Sequence, residues 1–191
     1  MKRSLALLAL LLAAAGPAVA ADLNGTVSAG GSGGTAVVYL DGAIAGPPLA
    51  SRPRLTNHDK KLVPGVLPVL AHQPFEIAND DDLYHNTYSL TGSDTFDVVF
   101  HHAGEVKTVT LDKPGRVDAF CRIHRTMHAV ILVLENPYFA VADAKGKFSI
   151  KGVPKGTYTV KVWHELLGET SQQVTVGDKD QTLRFELKKK G

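Results

Sequence analysis

Cysteine is almost absent from this sequence: Cys121 is the one thiol among 191 residues. A single thiol excludes an internal disulfide, a c-type haem attached through CxxCH, a CxxC oxidoreductase and any centre that needs two thiolates. In an oxidising compartment a free thiol is open to oxidation, and binding to a metal removes that liability. Cys121 is therefore either a buried small apolar side chain or a single metal ligand.

Long apolar runs are also absent, with one exception at the start of the chain. Residues 5–15 are apolar, follow a short basic start and precede the small-x-small pattern Ala18-Val19-Ala20. This order is typical of a signal peptide over residues 1–20, cleaved after Ala20. The run is short for a bilayer span, which needs about 20 apolar residues, so an uncleaved anchor is the less favoured alternative. We expect an exported, periplasmic protein with no membrane insertion after cleavage.

Neither sign of charge dominates. Without Lys2 and Arg3, the chain carries 19 basic and 19 acidic side chains. A nucleic-acid partner is not expected, because nucleic-acid-binding proteins present a clear excess of Lys and Arg.

No segment has the helical period over three turns. Instead, short runs of β-branched and aromatic residues recur between residues 25 and 187, separated by Gly, Pro, Asn and Asp. This pattern predicts an all-β fold of the sandwich or barrel type. Residues 67–71 contain Pro68, which cannot donate to a sheet, so they are predicted to form an edge strand. Residues 46–61, rich in proline at their start, are predicted to be a linker.

The two ends of the chain resemble parts of one small domain. Residues 23–27 and 35–40 resemble the opening strands of a transthyretin-type, carboxypeptidase-regulatory-like β-sandwich, and residues 141–158 resemble its later hairpin. The pieces follow the order of that family but are separated by a long intervening segment. We predict one sandwich assembled from residues 22–45 and 138–189, with a second domain inserted at a surface loop. Two tandem domains are the alternative.

Metal-ligand residue types are concentrated in one short segment of the intervening part. Cys121, His124 and Met127 are three residues apart, so a tight loop between two strands can turn all of them toward one point. His85, further upstream after an apolar strand, can add a second imidazole. Two His and one Cys with a weak axial Met form the blue-copper ligand set, in which sulfur favours Cu(I) and imidazole accepts both oxidation states. Zinc accepts two His and one Cys, but a closed zinc site prefers four strong ligands. We predict one type 1 copper ion on these four residues.

Residues 62–135 resemble a cupredoxin, the family of plastocyanin, azurin and amicyanin. The spacing Cys-x-x-His-x-x-Met at residues 121–127 matches the short ligand loop of amicyanin. The resemblance implies a Greek-key β-sandwich that holds copper. It also implies that Asn86, which follows the first His ligand, ties the first-ligand strand to the Cys loop. The combined layout resembles bacterial periplasmic proteins of the methylamine-utilisation type.

Three positions depart from the cupredoxin pattern. Arg125 stands where the loop usually has Pro, Ala129 where Gly is common, and His72 where a turn Gly is frequent. These departures bear on loop rigidity and redox potential more than on metal binding.

The resemblance implies one-electron transfer, with a redox protein such as a c-type cytochrome or a dehydrogenase as the partner. Redox encounters of this kind use small, weak interfaces. Two alternatives remain open: a copper-binding or delivery module in which the metal is cargo, and a structural interaction module. No enzyme is expected, because the His-x-His pairs of multicopper oxidases, nucleophile elbows and phosphate loops are missing from the sequence.

The remaining polar clusters have less specific interpretations. His101 and His102 are predicted to lie in a solvated turn at a strand end rather than in a second metal site. His164 and Glu165 are predicted to make a contact between the two domains rather than a catalytic pair. Residues 80–82, three aspartates, are predicted to form a solvated acidic turn, because the Gly and Glu positions of a calcium loop are missing.

Overall fold

The regular structure of this protein consists of β-strands, as seen in a computed structural model that describes residues 20–188. The prediction of an all-β fold is confirmed. Within residues 20–188, no helix is long and apolar enough to cross a membrane. The predicted signal peptide lies outside the described residues except for Ala20. The strands are β1 Ala20–Ser28, β2 Ala36–Leu40, β3 Arg54–His58, β4 Lys61–Val63, β5 Val66–Leu70, β6 Pro74–Asn79, β7 His85–Ser89, β8 Phe96–His101, β9 Val106–Thr110, β10 Gly115–Cys121, β11 His128–Leu134, β12 Phe139–Val141, β13 Lys147–Pro154, β14 Gly156–His164, β15 Gly168–Val176 and β16 Gln181–Glu186.

The strands from the two ends of the chain form one sandwich. A three-stranded sheet, β13-β1-β16, packs on a four-stranded sheet, β12-β2-β14-β15. Successive side chains of a strand point to opposite faces, so Val160 and Val162 of β14 enter the core with Leu23 of β1 and Val38 of β2. Trp163, the residue after Val162, points to the opposite face of the same sheet.

The middle of the chain forms a second sandwich. Its sheets have the orders β5-β11-β10-β7-β8 and β4-β3-β6-β9. Phe75 and Ile77 of β6 meet Val117 and Ile131 of the facing sheet in a fully buried core. The strand with Pro68 lies at the edge of its sheet, as its proline predicted.

An apolar layer joins the two sandwiches. Strand β11 is buried on both faces: Ile131 enters its own core, whereas Val130 and Leu132 point outward. These outward side chains meet Val37 of β2 and the partly buried Trp163 of β14. Burial of apolar side chains on both sides is the arrangement of a domain core, and the two sandwiches therefore pack as one unit.

The middle segment leaves and re-enters the first sandwich at neighbouring positions. Strand β12 pairs with β2 through Phe139 and Tyr39. The buried amide of Asn136 donates at 2.7 Å to the carbonyls of Leu40 and Gly42, which fixes the exit of the segment beside its return. Neighbouring ends are what an inserted segment requires. The domain boundaries themselves stay a prediction.

The predicted linker over residues 46–61 is wrong in its second half. Strand β3 runs parallel to β6 inside the second sandwich, and β4 pairs with β3 through a tight turn. Strand β3 alternates in burial, but its two buried positions are Leu55 and the polar Asn57, so its sequence lacks the alternation of apolar residues that predicts a strand.

Candidate metal centre

A hairpin loop carries the predicted cluster of ligand residues. Strand β10 ends at Cys121 and β11 begins at His128, with Phe120 and His128 paired across the hairpin. The main-chain N–H of Met127 donates to the carbonyl of His124 at 3.0 Å, which closes the loop into a compact turn. Cys121 and Met127 are buried, and His124 is partly exposed.

His85 reaches this loop from the neighbouring strand. Cys121 pairs with Thr87 of β7, and side chains two residues apart on a strand share a face. The fully buried His85 therefore lies on the same side as Cys121, and its Nδ1 is 3.7 Å from the Cys121 Sγ. The rings of His85 and His124 have centroids 5.0 Å apart.

The structure brings three of the four predicted ligands to one point. The ligand atoms of His85, Cys121 and His124 lie within 4.8 Å of one another, and within residues 20–188 no other group of three His, Cys, Asp or Glu does so. Metal–sulfur and metal–nitrogen bonds of about 2.3 and 2.0 Å would hold the two donor atoms about 3.5 Å apart at a tetrahedral angle and about 3.7 Å apart at a trigonal angle. The observed separation of 3.7 Å between Sγ and Nδ1 fits a shared ion.

The Nδ1 atom of His124 also fits a bound metal. This atom is buried and has no hydrogen-bond partner among residues 20–188. A buried polar atom without a partner costs free energy unless something satisfies it. The loop therefore presents an unused nitrogen lone pair beside a thiol. Met127 lies in the same buried cluster as Cys121, and its role as a fourth ligand stays a prediction.

Asp81 orients the first histidine, and the sequence analysis missed this role. Its Oδ2 is 2.8 Å from Nε2 of His85. Because a carboxylate accepts, the imidazole proton lies on Nε2 and the Nδ1 lone pair faces Cys121. The sequence signal was an acidic residue four positions before the histidine.

The same carboxylate also fixes the turn between β3 and β4. It accepts the main-chain N–H groups of Asp59 and Lys60 at 2.6 and 3.0 Å, and both of these residues have positive φ. Burial acts to raise the pKa of Asp81, but the amides and imidazole around it outweigh burial, so the pKa lies below its ordinary value. The predicted solvated acidic turn is therefore wrong for Asp81.

Asn86 contacts the Cys loop through an arginine. Its Oδ1 accepts from Arg122 at 3.0 Å, and its Nδ2 donates to the carbonyl of Val98 at 2.7 Å. Arg122 also forms a two-bond ion pair with Asp97 and lies 4.2 Å over the ring of Tyr88. The hydrogen bond from Arg122 lowers the pKa of Asp97, which keeps this link charged. The amide thus connects the first-ligand strand to the residue after Cys121.

His101 does not lie in a solvated turn. It pairs with His85 across strands β7 and β8 and is fully buried. Its Nε2 is 3.1 Å from Nδ2 of Asn57, whose amide also donates to the carbonyl of Ala78. Burial lowers the pKa of His101, so the ring is neutral beside the metal site. The prediction failed because the residue sits at a strand end in sequence but faces inward in the sheet.

The residues around His164 divide between two places. Trp163 packs in the apolar layer between the sandwiches. Glu165 accepts the main-chain N–H of Thr35 at 3.2 Å within the first sandwich. In the second sandwich, the hydrogen bond with Asp118 is the main cause that raises the pKa of Arg116, and the charge of Glu165 adds to it. His164 itself is buried in the first sandwich and is not part of the contact between domains.

Comparisons with known proteins find partial likenesses. A protein-family model described as polysaccharide lyase family 4, domain II, matches residues 134–183. No curated protein matches the chain.

Three solved structures illustrate the structural likenesses. A Cu-containing nitrite reductase from Thermus scotoductus SA-01 is 27% identical over 50% of this chain and 24% of that chain, with a TM-score of 0.42. A Cu(I) form of an amicyanin mutant is 16% identical over 44% and 85%, with a TM-score of 0.40. A purple cupredoxin from Nitrosopumilus maritimus is 16% identical over 42% and 97%, with a TM-score of 0.38. This chain spans about a quarter of the nitrite reductase.

Proposed function

We propose that this chain binds one type 1 copper ion on His85, Cys121, His124 and Met127 and carries single electrons between redox proteins. The observation that carries the proposal is the approach of two imidazoles and the only thiol of the chain to within 4.8 Å in a buried site. Bound copper supplies reversible one-electron chemistry between Cu(I) and Cu(II).

The donor set favours copper over zinc. One thiolate and two imidazoles form a three-ligand array, and the next donor residue in the loop, Met127, is a buried methionine rather than a strong fourth ligand. A thioether is a weak axial ligand for copper, whereas structural zinc takes four strong donors. The rigid surroundings of His85, held by Asp81, favour a site that changes little between oxidation states.

The surface beside the ligands supports an encounter with a redox partner. His124 is the ligand with partial exposure, which makes its ring edge the route for electrons. Its neighbour Ile123 is exposed, as are Leu83 and Tyr84 before His85. Apolar side chains around a redox centre suit a small, short-lived interface. The partner would be a c-type cytochrome or a dehydrogenase, and the setting the periplasm.

The spectrum of the copper-loaded protein tests the metal assignment. We expect an intense visible thiolate-to-copper charge-transfer band that disappears in Cys121→Ser. The matched control is His128→Gln, because His128 lies beside the loop but contacts Asp118 on the surface. Retention of the band in Cys121→Ser, or its absence in the unaltered protein, would refute the assignment.

A delivery module is the second candidate, favoured by the exposure of Arg122, Arg125 and Thr126 in the ligand loop. An exposed loop gives an acceptor access to the metal. Voltammetry and Cu(I) transfer to a competing chelator separate the two functions. An electron carrier should give a reversible couple and retain its copper. A delivery module should release copper readily and exchange electrons slowly.

A further inference from the structure

A second candidate site lies at the end of the first sandwich. Here a cavity of about 370 Å³ opens between the glycine-rich loop that joins β1 to β2 and the turn that joins β12 to β13. The loop contains Gly30, Gly31, Gly33 and Gly34, and the side chain that lines the cavity floor is His164. None of these residues belongs to the copper site.

His164 is buried but has a free donor. Its side chain belongs to a residue that is 2% exposed, and its Nδ1 accepts the main-chain N–H of Leu166 at 3.1 Å. Its Nε2 has no hydrogen-bond partner in the described part of the chain. The adjacent Cε1 is 3.1 Å from the place where a Cβ on Gly34 would lie, so the ring edge faces the glycine loop.

The hydrogen bond at Nδ1 determines what Nε2 can do. Burial lowers the pKa of His164, so the ring is neutral near neutral pH. A neutral imidazole has one proton, and because Nδ1 accepts, the proton lies on Nε2. A metal at Nε2 would need that proton removed and is disfavoured. The cavity therefore offers an N–H donor and calls for an acceptor.

The loop adds further donors. The main-chain N–H groups of the exposed Gly30, Gly31 and Gly33 have no acceptor within residues 20–188, and no atom lies within 4 Å of the place where a Cβ on each would stand. Lys145 lines the cavity and is exposed. Asp143 also lines it, but its Oδ1 already accepts the amides of residues 145 and 147 at 2.8 Å each. The loop amides and the imidazole N–H are thus unused donors at this cavity.

We propose that this cavity binds a small oxyanion, a carboxylate or a phosphate, through the Nε2–H of His164 and the amides of the glycine loop. An acceptor oxygen of such a ligand would pair with the free Nε2–H of His164, and Lys145 would provide charge at the rim. This site shares no residue with the proposed copper site, so its test does not depend on electron transfer.

Titration of the full chain with inorganic phosphate and with acetate tests the proposal. The chain is ¹⁵N-labelled and kept reduced, and potassium chloride at equal ionic strength is the reference. We expect saturable shifts of the amides of residues 30–34 and of the His164 imidazole. The anion with the tighter saturation identifies phosphate or carboxylate as the preferred ligand. Shifts that are linear and equal for all three salts would overturn the proposal.

Two variants identify the donors. His164→Phe keeps a ring but removes the N–H, and should weaken binding at least about tenfold. Lys145→Gln, at an exposed position, should weaken it by a smaller factor and guards against misfolding of the first variant. Lys179→Gln is the matched control, since Lys179 is exposed in the loop between β15 and β16 and does not line the cavity. Unchanged binding in both His164→Phe and Lys145→Gln would refute the site.

Discussion

The two sandwiches each bury a histidine near one end, and the two rings are held in opposite senses. His85 has its Nε2 against the carboxylate of Asp81, so its Nδ1 lone pair is free. His164 has its Nδ1 against the main-chain N–H of Leu166, so its Nε2–H is free. The first ring is prepared to bind a cation and the second to donate to an acceptor.

The partner on the far side of a buried imidazole thus determines which chemistry the ring offers. An acceptor behind the ring makes it a metal ligand, and a donor behind the ring makes it a hydrogen-bond donor. Sequence motifs identify the histidine but not that partner. Asp81 is four residues from His85, whereas the amide that fixes His164 belongs to its own turn.

The largest expected effect concerns the layer that joins the two sandwiches. Leu132→Ala should lower the free energy of unfolding by about 2 to 5 kcal/mol, because it leaves a cavity between β11 and the sheet with Trp163. Denaturant unfolding followed by the fluorescence of Trp163, the only tryptophan, measures it. Leu166→Ala is the control, since Leu166 is 64% exposed, and should change stability by less than about 0.5 kcal/mol. Equal effects of the two substitutions would show that the layer contributes no stability.

The next effect concerns the contact that orients the first histidine. Asp81→Ala removes the acceptor behind His85 and should weaken copper binding by about 10- to 100-fold, because the ring loses its fixed orientation. Competition with a Cu(I) chelator measures the affinity. Asp82→Ala is the matched control, because Asp82 is an exposed neighbour in the same turn. If both variants bind copper as the unaltered chain does, the contact between Asp81 and His85 has no role in the site.

The parts of the site that are local in sequence could be predicted. Cys121, His124 and Met127 lie in one hairpin loop, so their spacing alone indicates a common direction. His85 is distant in sequence and was assigned through its resemblance to a known ligand region. The structure brings the ligand atoms of His85, Cys121 and His124 together.

The parts that failed depend on pairing between distant segments. The burial of His101 follows from its register opposite His85, and that register includes an irregularity between His85 and Thr87. The carboxylate of Asp81 is held by the turn at residues 59 and 60, which joins β3 to β4. This turn could not be predicted, because the polar sequence of β3 does not indicate a strand. His72, where the cupredoxin pattern has a turn glycine, has φ of +61°, so the turn is kept without glycine. Local propensity carries none of this information on pairing.

The smallest effect is the contribution of His164 to the pH dependence of stability in the metal-free protein. Burial holds the pKa of His164 below its ordinary value of 6.5, so the unfolded chain takes up the proton first as pH falls. The stability present above pH 6.5 should therefore decline as pH drops through 6.5 and then through the lower folded pKa. His101, whose pKa burial also lowers, contributes in the same direction. His164→Gln should make this decline less steep. The slope of the free energy of unfolding against pH should change by less than about 1.4 kcal/mol per pH unit, the value for one proton. Denaturant unfolding measured between pH 8 and 5 gives this slope. His58→Gln, at an exposed position, is the control for the exchange of a histidine for glutamine. A slope that is identical in all three proteins would mean that the proton of His164 is not excluded by folding, and the contrast with His85 would then rest on geometry alone.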